Sequence, residues 1–312
     1  MTSRFAPAPW TYGFIVAVAM WFVIVGWAGF DAAVPTLSSA LVFAAFSVLV
    51  GTGQMLVIAS GPGNIDLSMP AVLTLSAYVA MTVMGGSDAM ALPGVAVAVA
   101  VGAAAGMLNY AAIALLRLPP IIATLAWSFV FQSMTFNLGG EATLKPPAVL
   151  SQFTFWSVGG LRVMPVAVIL LTLLAMIVLK RSVWGRQLLA TGQSEPAARL
   201  AGVAVGRVRF LAYTLCGVAA ALAGLLLSGF SGGAALNMGD TYLLESIAVV
   251  VLGGTSVAGG QANAVGIWGA ALFFNLMATM LTMFQMQAGV RFVLTGALII
   301  LIVAIAPRPR AG

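Results

Sequence analysis

The residues best placed to do chemistry lie in GPGNIDLS, at 61–68, where a carboxylate follows a break rich in glycine and proline. Asp66 is one of 7 acidic residues in a chain of 312. Asn64, Asp66 and Ser68 alternate with apolar residues, so an extended segment would place them on one side. In a membrane, broken backbone is buried in protein or lines water, and an ionisable side chain is functional by default. The segment is predicted to line or gate a path, or to cap a helix starting near Met69–Pro70.

A second cluster of charge surrounds SEPAARLAG, in the most charged part of the chain. Ser194 suits an N-cap, Pro196 suits the first turn and Gly202 follows the end of the predicted helix. Glu195 near the start and Arg199 four residues later suit the helix dipole and can pair. A short capped helix beside membrane spans has the form of a docking element, whereas a mere connector would not need the caps. The alternative is an ordinary positively charged loop.

Two apolar runs, one in each half of the chain, begin with a polar residue and end in a glycine break. The first leads into GPGN and the second into VLGGTSVAGG, which predicts interrupted helices near 60–70 and 250–262. Paired interrupted helices in two halves of a transporter point to its substrate path. Polar positions in a span can equally be contacts that hold helices together. The candidate path residues outside 61–68 are Gln54, Thr124, Glu245, Gly253 and Gly254.

What the sequence lacks excludes several kinds of chemistry. The chain has no His and one Cys, Cys216, which excludes His-based acid–base catalysis, an internal disulfide and a Cys/His zinc site. Neither Lys145 nor Lys180 lies in a phosphate-binding loop of the GxxxxGK[ST] type. We therefore expect no enzyme, no metal and no cofactor bound by this chain, and any ATP hydrolysis must occur on another chain.

Composition determines the class of protein. The chain is 62% hydrophobic and 6% charged, against about 25% charged in soluble domains. We therefore predict one transmembrane domain over residues 1–312, in the lipid bilayer. The net charge of +6 fits cytoplasmic loops rather than nucleic-acid binding. A span needs roughly 20 apolar residues. Ten spans are predicted, at 10–30, 38–59, 70–84, 92–116, 120–138, 163–179, 210–230, 242–257, 263–284 and 288–306.

The distribution of charge predicts the orientation. If the spans alternate, Arg4, Arg117, residues 180–209 and the arginines at 308 and 310 lie on one side, which the positive-inside rule makes the cytoplasm. Both termini are then cytoplasmic. The loop at 139–162 lies outside, and its aromatic residues suit a helix at the membrane interface. Those aromatic residues are Phe153, Phe155 and Trp156.

Four segments occur in an order that resembles one family. They are GNIDLS at 63–68, RLPPIIATLAW at 117–127, ATGQSEPAARLAGVAVGRVR at 190–209 and VLGGTSVAGG at 251–260. Together they resemble the permease subunits of bacterial ABC importers for monosaccharides, of the ribose, xylose, arabinose and autoinducer-2 type. The resemblance implies an all-α, type II, vitamin-B12-importer-like fold of about ten helices in the bacterial inner membrane.

The resemblance also implies partners and roles. The partners are a cytoplasmic ATPase with two nucleotide-binding halves that holds ATP and Mg, a second permease chain and a periplasmic sugar-binding protein. Residues 180–209 would be the coupling segment that seats on the ATPase, and its motif would comprise Ser194, Glu195, Pro196, Ala197, Ala198, Arg199 and Gly202. Many relatives read GGIDLSVG where this chain has GNIDLSMP, so Asn64 and Pro70 depart from the pattern.

Three alternatives to a sugar importer remain open from the residues. A stand-alone secondary transporter could use Asp66, Glu245 and Arg291 as an ion-coupled relay. A related ABC permease could carry a non-sugar solute such as branched-chain amino acids. A membrane scaffold would carry no flux. The residues identify neither the sugar or polyol nor whether the second permease is an identical chain or a close paralogue.

Overall fold

The computed structural model describes residues 10–138, 145–287, 289–290, 293–294, 296–297 and 300. The described chain is helical apart from one short hairpin. Its helices are α1 (Thr11–Ala28), α2 (Ala33–Ala59), α3 (Met69–Met84), α4 (Ala91–Leu115), α5 (Pro120–Leu138), α6 (Ala148–Phe155), α7 (Met164–Arg181), α8 (Val183–Gln193), α9 (Glu195–Leu200), α10 (Val205–Ser231), α11 (Tyr242–Leu252) and α12 (Ala264–Met283). Single 3-10 turns, Phe30–Ala32 and Asp88–Met90, precede α2 and α4.

Seven helices in the described part are long and apolar enough to cross a membrane. They include α1, α2, α4, α5, α7, α10 and α12. The spans predicted at 70–84 and 242–257 are the shorter apolar helices α3 and α11, and α11 ends at Leu252 rather than at 257. The predicted span at 288–306, with Arg291, lies largely outside the described residues, as do Arg4, Glu141 and the arginines at 308 and 310. The protein is therefore a multi-pass, all-helical membrane protein.

Helix α2 forms the centre of the fold because it packs against α7, α10, α11 and α12. Small residues let other helices approach closely, as is usual in membranes. Between α4 and α10, a Cβ on Gly102 would lie 2.3 Å from the Gly217 carbonyl oxygen, and one on Gly106 would lie 2.1 Å from the Tyr213 carbonyl oxygen. No side chain fits at these two positions, so α4 and α10 make backbone contact beside the first helix break.

Both predicted breaks are present. After α2 the chain turns through Gly61 and Gly63, which have φ of 146° and 75°, before α3 begins at Met69. After α11 it turns through Gly254, Gly259 and Gly260, which have φ of 88°, 86° and 75°. Positive φ is unfavourable for residues with a Cβ, so these glycines are what allows two helices to end inside the protein. The interruptions predicted near 60–70 and 250–262 are confirmed.

The outer region predicted at 139–162 contains a helix that includes two of the aromatic residues from which an interfacial helix was expected, Phe153 and Phe155. Residues 139–144 lie outside the description, but α6 follows at Ala148–Phe155. A two-stranded antiparallel hairpin then pairs Ser157–Val158 (β1) with Leu161–Arg162 (β2). Gly159 and Gly160 have positive φ and form the tight turn of this hairpin, a minor element in an otherwise helical structure.

Candidate functional site

The carboxylate of Asp66 is buried and held by side chains from two parts of the chain. Its Oδ1 accepts hydrogen bonds from the Ser68 backbone nitrogen at 2.9 Å and from the Ser68 hydroxyl at 2.7 Å. Nδ2 of Asn109, on α4, lies 3.4 and 3.3 Å from the two carboxylate oxygens and 2.6 Å from the Ser68 hydroxyl. A buried polar group is costly unless it is hydrogen-bonded, and this cluster meets that condition. Asn109 thereby fixes the break against α4.

Gln54 holds the backbone at the same position from α2. In the amide orientation that satisfies both groups, its nitrogen donates to the Asp66 carbonyl oxygen and its oxygen accepts from the Asp66 nitrogen, both at 3.3 Å. Gln54 is fully buried. An isolated buried peptide group is costly, so this pairing replaces the hydrogen bonds that the break takes from the helix.

Two further contacts hold the break from α5 and α10. The Thr124 hydroxyl accepts from the Leu67 nitrogen at 3.0 Å, and the Tyr213 hydroxyl donates to Oδ1 of Asn64 at 3.5 Å. Asp66 and Ser68 therefore share Asn109, whereas Asn64 contacts α10. The break is tied to α2, α4, α5 and α10 together.

The alternative that the Ser68 side chain caps α3 is wrong, whereas Asp66 accepts the backbone N–H of Ser68 at the start of that helix. Ser68 is the N-cap residue, but its side chain makes no bond to a free N–H of α3. Its hydroxyl is directed to Asp66 instead. Gln54, Asp66, Ser68 and Thr124 are all buried against protein, so their described role is to anchor the break. That they also line or gate a path stays a prediction.

The two helix breaks and the charged segment meet at one point. The Gly260 nitrogen donates to the carbonyl oxygen of Ala59, the last residue of α2, at 3.0 Å. A Cβ on Gly192, near the end of α8, would lie 2.0 Å from that oxygen and 2.3 Å from the Gly260 nitrogen. One on Gly259 would lie 2.8 Å from the Gly61 Cα. The paired breaks, which the sequence analysis associates with a substrate path, are therefore in direct contact.

The short helix predicted from SEPAARLAG is confirmed as α9. The Ser194 hydroxyl accepts from the Ala197 nitrogen at 3.4 Å, Pro196 lies in the first turn and Gly202 has φ of 80°. Ala198 packs inward, while Ala197 is exposed. The caps and the conformation of the glycine match what the residue types required.

Glu195 is shared by two arginines. Arg199 NH2 lies 2.7 Å from Oε1 and Arg209 NH2 lies 2.7 Å from Oε2. The hydrogen bonds from Arg199, with the positive charge of Arg209, hold the pKa of Glu195 below its usual value despite partial burial. The carboxylate therefore stays charged at neutral pH and joins α9 to the first turns of α10.

A cavity of about 660 Å³ lies between α9 and the first break. It is lined by side chains of mixed character, among them Pro62, Asn64, Tyr110, Thr191, Glu195 and Arg209. The Thr191 hydroxyl is buried and has no hydrogen-bond partner within the described structure. The charged segment and the first break therefore line the same cavity.

Glu245 belongs to a separate polar cluster. Its Oε1 accepts from the Ser47 hydroxyl on α2 at 2.5 Å and from Nδ2 of Asn275 on α12 at 3.5 Å. The third member of the ion-coupled relay considered above, Arg291, lies outside the described residues. The cluster joins α2, α11 and α12. On α2, Ser47 lies about two turns before Gln54, on the same side of the helix.

Gly253 and Gly254 serve close packing after α11. A Cβ on Gly253 would lie 2.8 Å from the Ile267 nitrogen of α12, and one on Gly254 would lie 3.1 Å from the Trp10 Cβ. These contacts explain the glycines by space and, for Gly254, by a φ of 88°. Within the described residues, no three His, Cys, Asp or Glu side chains are grouped so that they could hold a metal ion.

Three residues of the site were missed in the sequence. Asn109 is a lone amide in the apolar run 92–116, which is a signal that could have found it. The sequence indicates only that Arg209 is one of the positive residues on the cytoplasmic side. Nothing in the sequence shows that it contacts the carbonyl oxygen of Ser60. Gly192 has no local signal, because its need for space comes from α2 and the second break.

Comparison with known proteins agrees with the resemblance. The fructose import permease protein FrcC of Rhizobium meliloti is 32% identical, over 82% of this chain and 73% of its own length. The ribose import permease protein RbsC of Escherichia coli K12 is 30% identical, over 83% and 81%. The autoinducer 2 import system permease protein LsrC of Enterobacter sp. 638 is 32% identical, over 80% and 72%. No solved structure matches the chain significantly.

Residues 36–303 match the family described as the permease component of the branched-chain amino acid transport system. This match covers most of the chain, and the relatives are themselves named as import permeases rather than enzymes. The expected resemblance to permease subunits is confirmed. The chain therefore belongs to this family of import permease components and is a membrane transport subunit, not an enzyme.

Proposed function

We propose that the chain is the membrane-spanning subunit of an ATP-driven ABC importer for a monosaccharide or similar small polyol. The family description names branched-chain amino acids, but the relatives named above import fructose, ribose and autoinducer 2. The names of these relatives therefore favour a sugar, rather than an amino acid, as the solute. The solute would be delivered by a periplasmic binding protein and pass along a path formed by the permease, with Asp66 and its neighbours at the gate.

The observation that carries the proposal is the construction of α9 as a docking helix. Leu200, at its end, is 92% exposed and is therefore accessible to another protein. The helix is capped, its charges are paired, and it lies against the cavity that reaches the first break. An exposed leucine on a rigid charged helix suits a protein partner, here the cytoplasmic ATPase with two nucleotide-binding halves, which would hold ATP and Mg.

The remaining features fit this assembly. We take residues 1–312 as one permease domain with the coupling segment at 180–209, the outer loop at 139–162 and both termini in the cytoplasm of a bacterium. The fold would be of the type II importer class with about ten helices. Exposed apolar side chains on α1, α5 and α7, such as Phe22, Phe129 and Leu170, suit contact with lipid or with a second permease chain.

The test is purification of the tagged chain from native membranes in mild detergent, with mass spectrometry of the proteins that accompany it. A stoichiometric ATPase with two nucleotide-binding halves supports the importer. A chain that comes out alone from several mild detergents overturns it in favour of the secondary transporter.

A matched pair of variants locates the docking surface. Leu200→Glu places a charge on α9 and is expected to lower the yield of co-purified ATPase about tenfold, the effect of losing roughly 1.4 kcal/mol of binding. Val158→Glu is the control, because Val158 is also exposed but lies on the outer hairpin. An equal loss of ATPase in both variants, or no loss in either variant, counts against docking at α9.

A further inference from the structure

Arg209 makes contact with both the docking helix and the first helix break. From the first turns of α10 its NH2 group reaches Oε2 of Glu195 at 2.7 Å. Its Nε and NH2 groups also each lie 3.4 Å from the Ser60 carbonyl oxygen. The side chain is 20% exposed, so water screens these contacts only in part.

The acceptor on the break is the kind of group that an arginine satisfies best. Ser60 is the C-cap of α2, where a helix leaves carbonyl oxygens without partners and carries partial negative charge. Gly61 keeps the space open, because a Cβ there would lie 2.8 Å from the Arg209 NH2 group. The planar guanidinium can therefore hold a helix end and a carboxylate at once, with more donors in a more fixed geometry than a lysine ammonium has.

A second contact between α10 and the break lies one turn further along α10. Tyr213, four residues after Arg209, donates to Asn64. The break is thus held by α10 at both of these residues, while Glu195 holds α9 against the same helix. A displacement of α9 that keeps the Glu195–Arg209 pair must also move Ser60 or break its contact with Arg209.

From these contacts we propose that Arg209 is the positioning residue that transmits motion of α9 to the helix break at 60–68. This inference rests on the proposed function, since it takes the ATPase as the source of the motion. Arg209 is not itself part of the docking surface, because its guanidinium is directed to the break. Its loss should leave the ATPase bound and uncouple the break from it.

Arg207 provides the matched control. It lies two residues before Arg209 on α10, is exposed, and forms no ion pair with another described residue. Neutralising either arginine changes the net charge equally. A difference between the two variants is therefore caused by the lost contacts of Arg209 and not by the change in net charge.

The experiment uses the co-purified complex of this chain with its ATPase and a cysteine at Pro62, an exposed residue of the break that lines the cavity. The rate of reaction of this cysteine with a thiol reagent is measured with and without ATP and vanadate. Cys216 is fully buried and supplies little background. The variants are Arg209→Gln, Arg209→Lys, Arg207→Gln and the charge swap Glu195→Arg with Arg209→Glu.

In the parent and in Arg207→Gln, we expect ATP and vanadate to change the rate about fivefold or more, as for coupled sites in general. Arg209→Gln should lose this change while it retains the ATPase, and Arg209→Lys should keep part of it. The charge swap restores the ion pair with α9 but should not recover the change, because a carboxylate at position 209 cannot donate to the Ser60 carbonyl oxygen. A full response in Arg209→Gln, or no response in the parent, overturns the inference. A parent chain without any ATPase overturns the proposed function instead.

Discussion

The side-chain amide of Asn109 lies within hydrogen-bonding distance of both carboxylate oxygens of Asp66, at 3.4 and 3.3 Å. The carboxylate that was the first candidate for chemistry is therefore held by a residue of α4. Because the donors come from protein and the group is almost fully buried, Asp66 stabilises a particular shape of the break. If that shape changes during transport, this cluster is one of the contacts that must rearrange.

Removing the side-chain amide of Asn109 tests whether this residue stabilises the helix break. Asn109→Ala should lower the thermal midpoint of the detergent-purified protein, because a buried group that loses its partner costs roughly 1–3 kcal/mol. Asn137→Ala is the control, since Asn137 is exposed and its amide donates only to the Ser133 carbonyl of its own helix. Equal midpoints for the two variants would show that Asn109 does not support the break.

Two substitutions of Asp66 separate shape from charge. Asp66→Asn keeps an oxygen that can accept from the Ser68 nitrogen, whereas Asp66→Ala removes it. If the residue anchors the break, sugar uptake into cells should fall at least tenfold in Asp66→Ala and clearly less in Asp66→Asn, with similar amounts of both in the membrane. Uptake at the wild-type rate in Asp66→Ala would contradict both the anchoring role and the gate.

The elements of the fold could be predicted to a large extent from the sequence. Long apolar runs predict spans, and the glycine and proline residues of GPGN predict where α2 ends. The predicted span 242–257 extends past the end of α11 at Leu252, although Gly253 and Gly254 are a local signal for that end and Gly254 has φ of 88°.

The site was predictable in its local part only. The caps of α9 follow from residue types within nine positions, and the structure confirms them. The contacts of Asp66 with Asn109 and of Arg209 with Ser60 join residues far apart in the chain. No local pattern encodes such pairs, since they depend on how α4 and α10 pack beside α2.

The meeting of the breaks predicts a strict need for glycine at one position. Gly192→Ala would place a methyl group 2.0 Å from the Ala59 carbonyl oxygen, so α8 or the second break must move. Overpacking of this kind costs about 1–3 kcal/mol, and the variant should have a lower thermal midpoint and less co-purified ATPase. In Gly206→Ala the new methyl would meet only the Tyr110 hydroxyl at 3.5 Å, so it should behave as wild type. Normal behaviour of Gly192→Ala would show that the three segments are not packed as described.

The Glu195 cluster predicts a definite dependence on pH. The pKa of the Glu195 carboxyl is lowered in the folded protein. The contribution of this carboxylate to stability is therefore present above the usual pKa of 4.5 and is lost as pH falls through the lowered pKa. The difference in thermal midpoint between wild type and Glu195→Gln should therefore be constant from pH 8 to pH 5 and shrink below about pH 4.5. A difference that already disappears between pH 7 and pH 6 would exclude this ion pair as its cause.

Glu245 distinguishes the importer from the ion-coupled alternative. Its carboxylate accepts from Ser47 and Asn275, and Glu245→Gln keeps a carbonyl oxygen for both contacts while it removes the ionisable group. An ATP-driven importer needs no proton or sodium ion at this position, so uptake by Glu245→Gln should stay within about threefold of wild type and resist an ionophore. Glu245→Leu, which removes the acceptor, should lower the amount of folded protein because the contacts that join α11 to Ser47 and Asn275 are lost. Uptake that is abolished in Glu245→Gln, and that collapses with an ionophore in wild type, would instead place a coupling ion at this cluster.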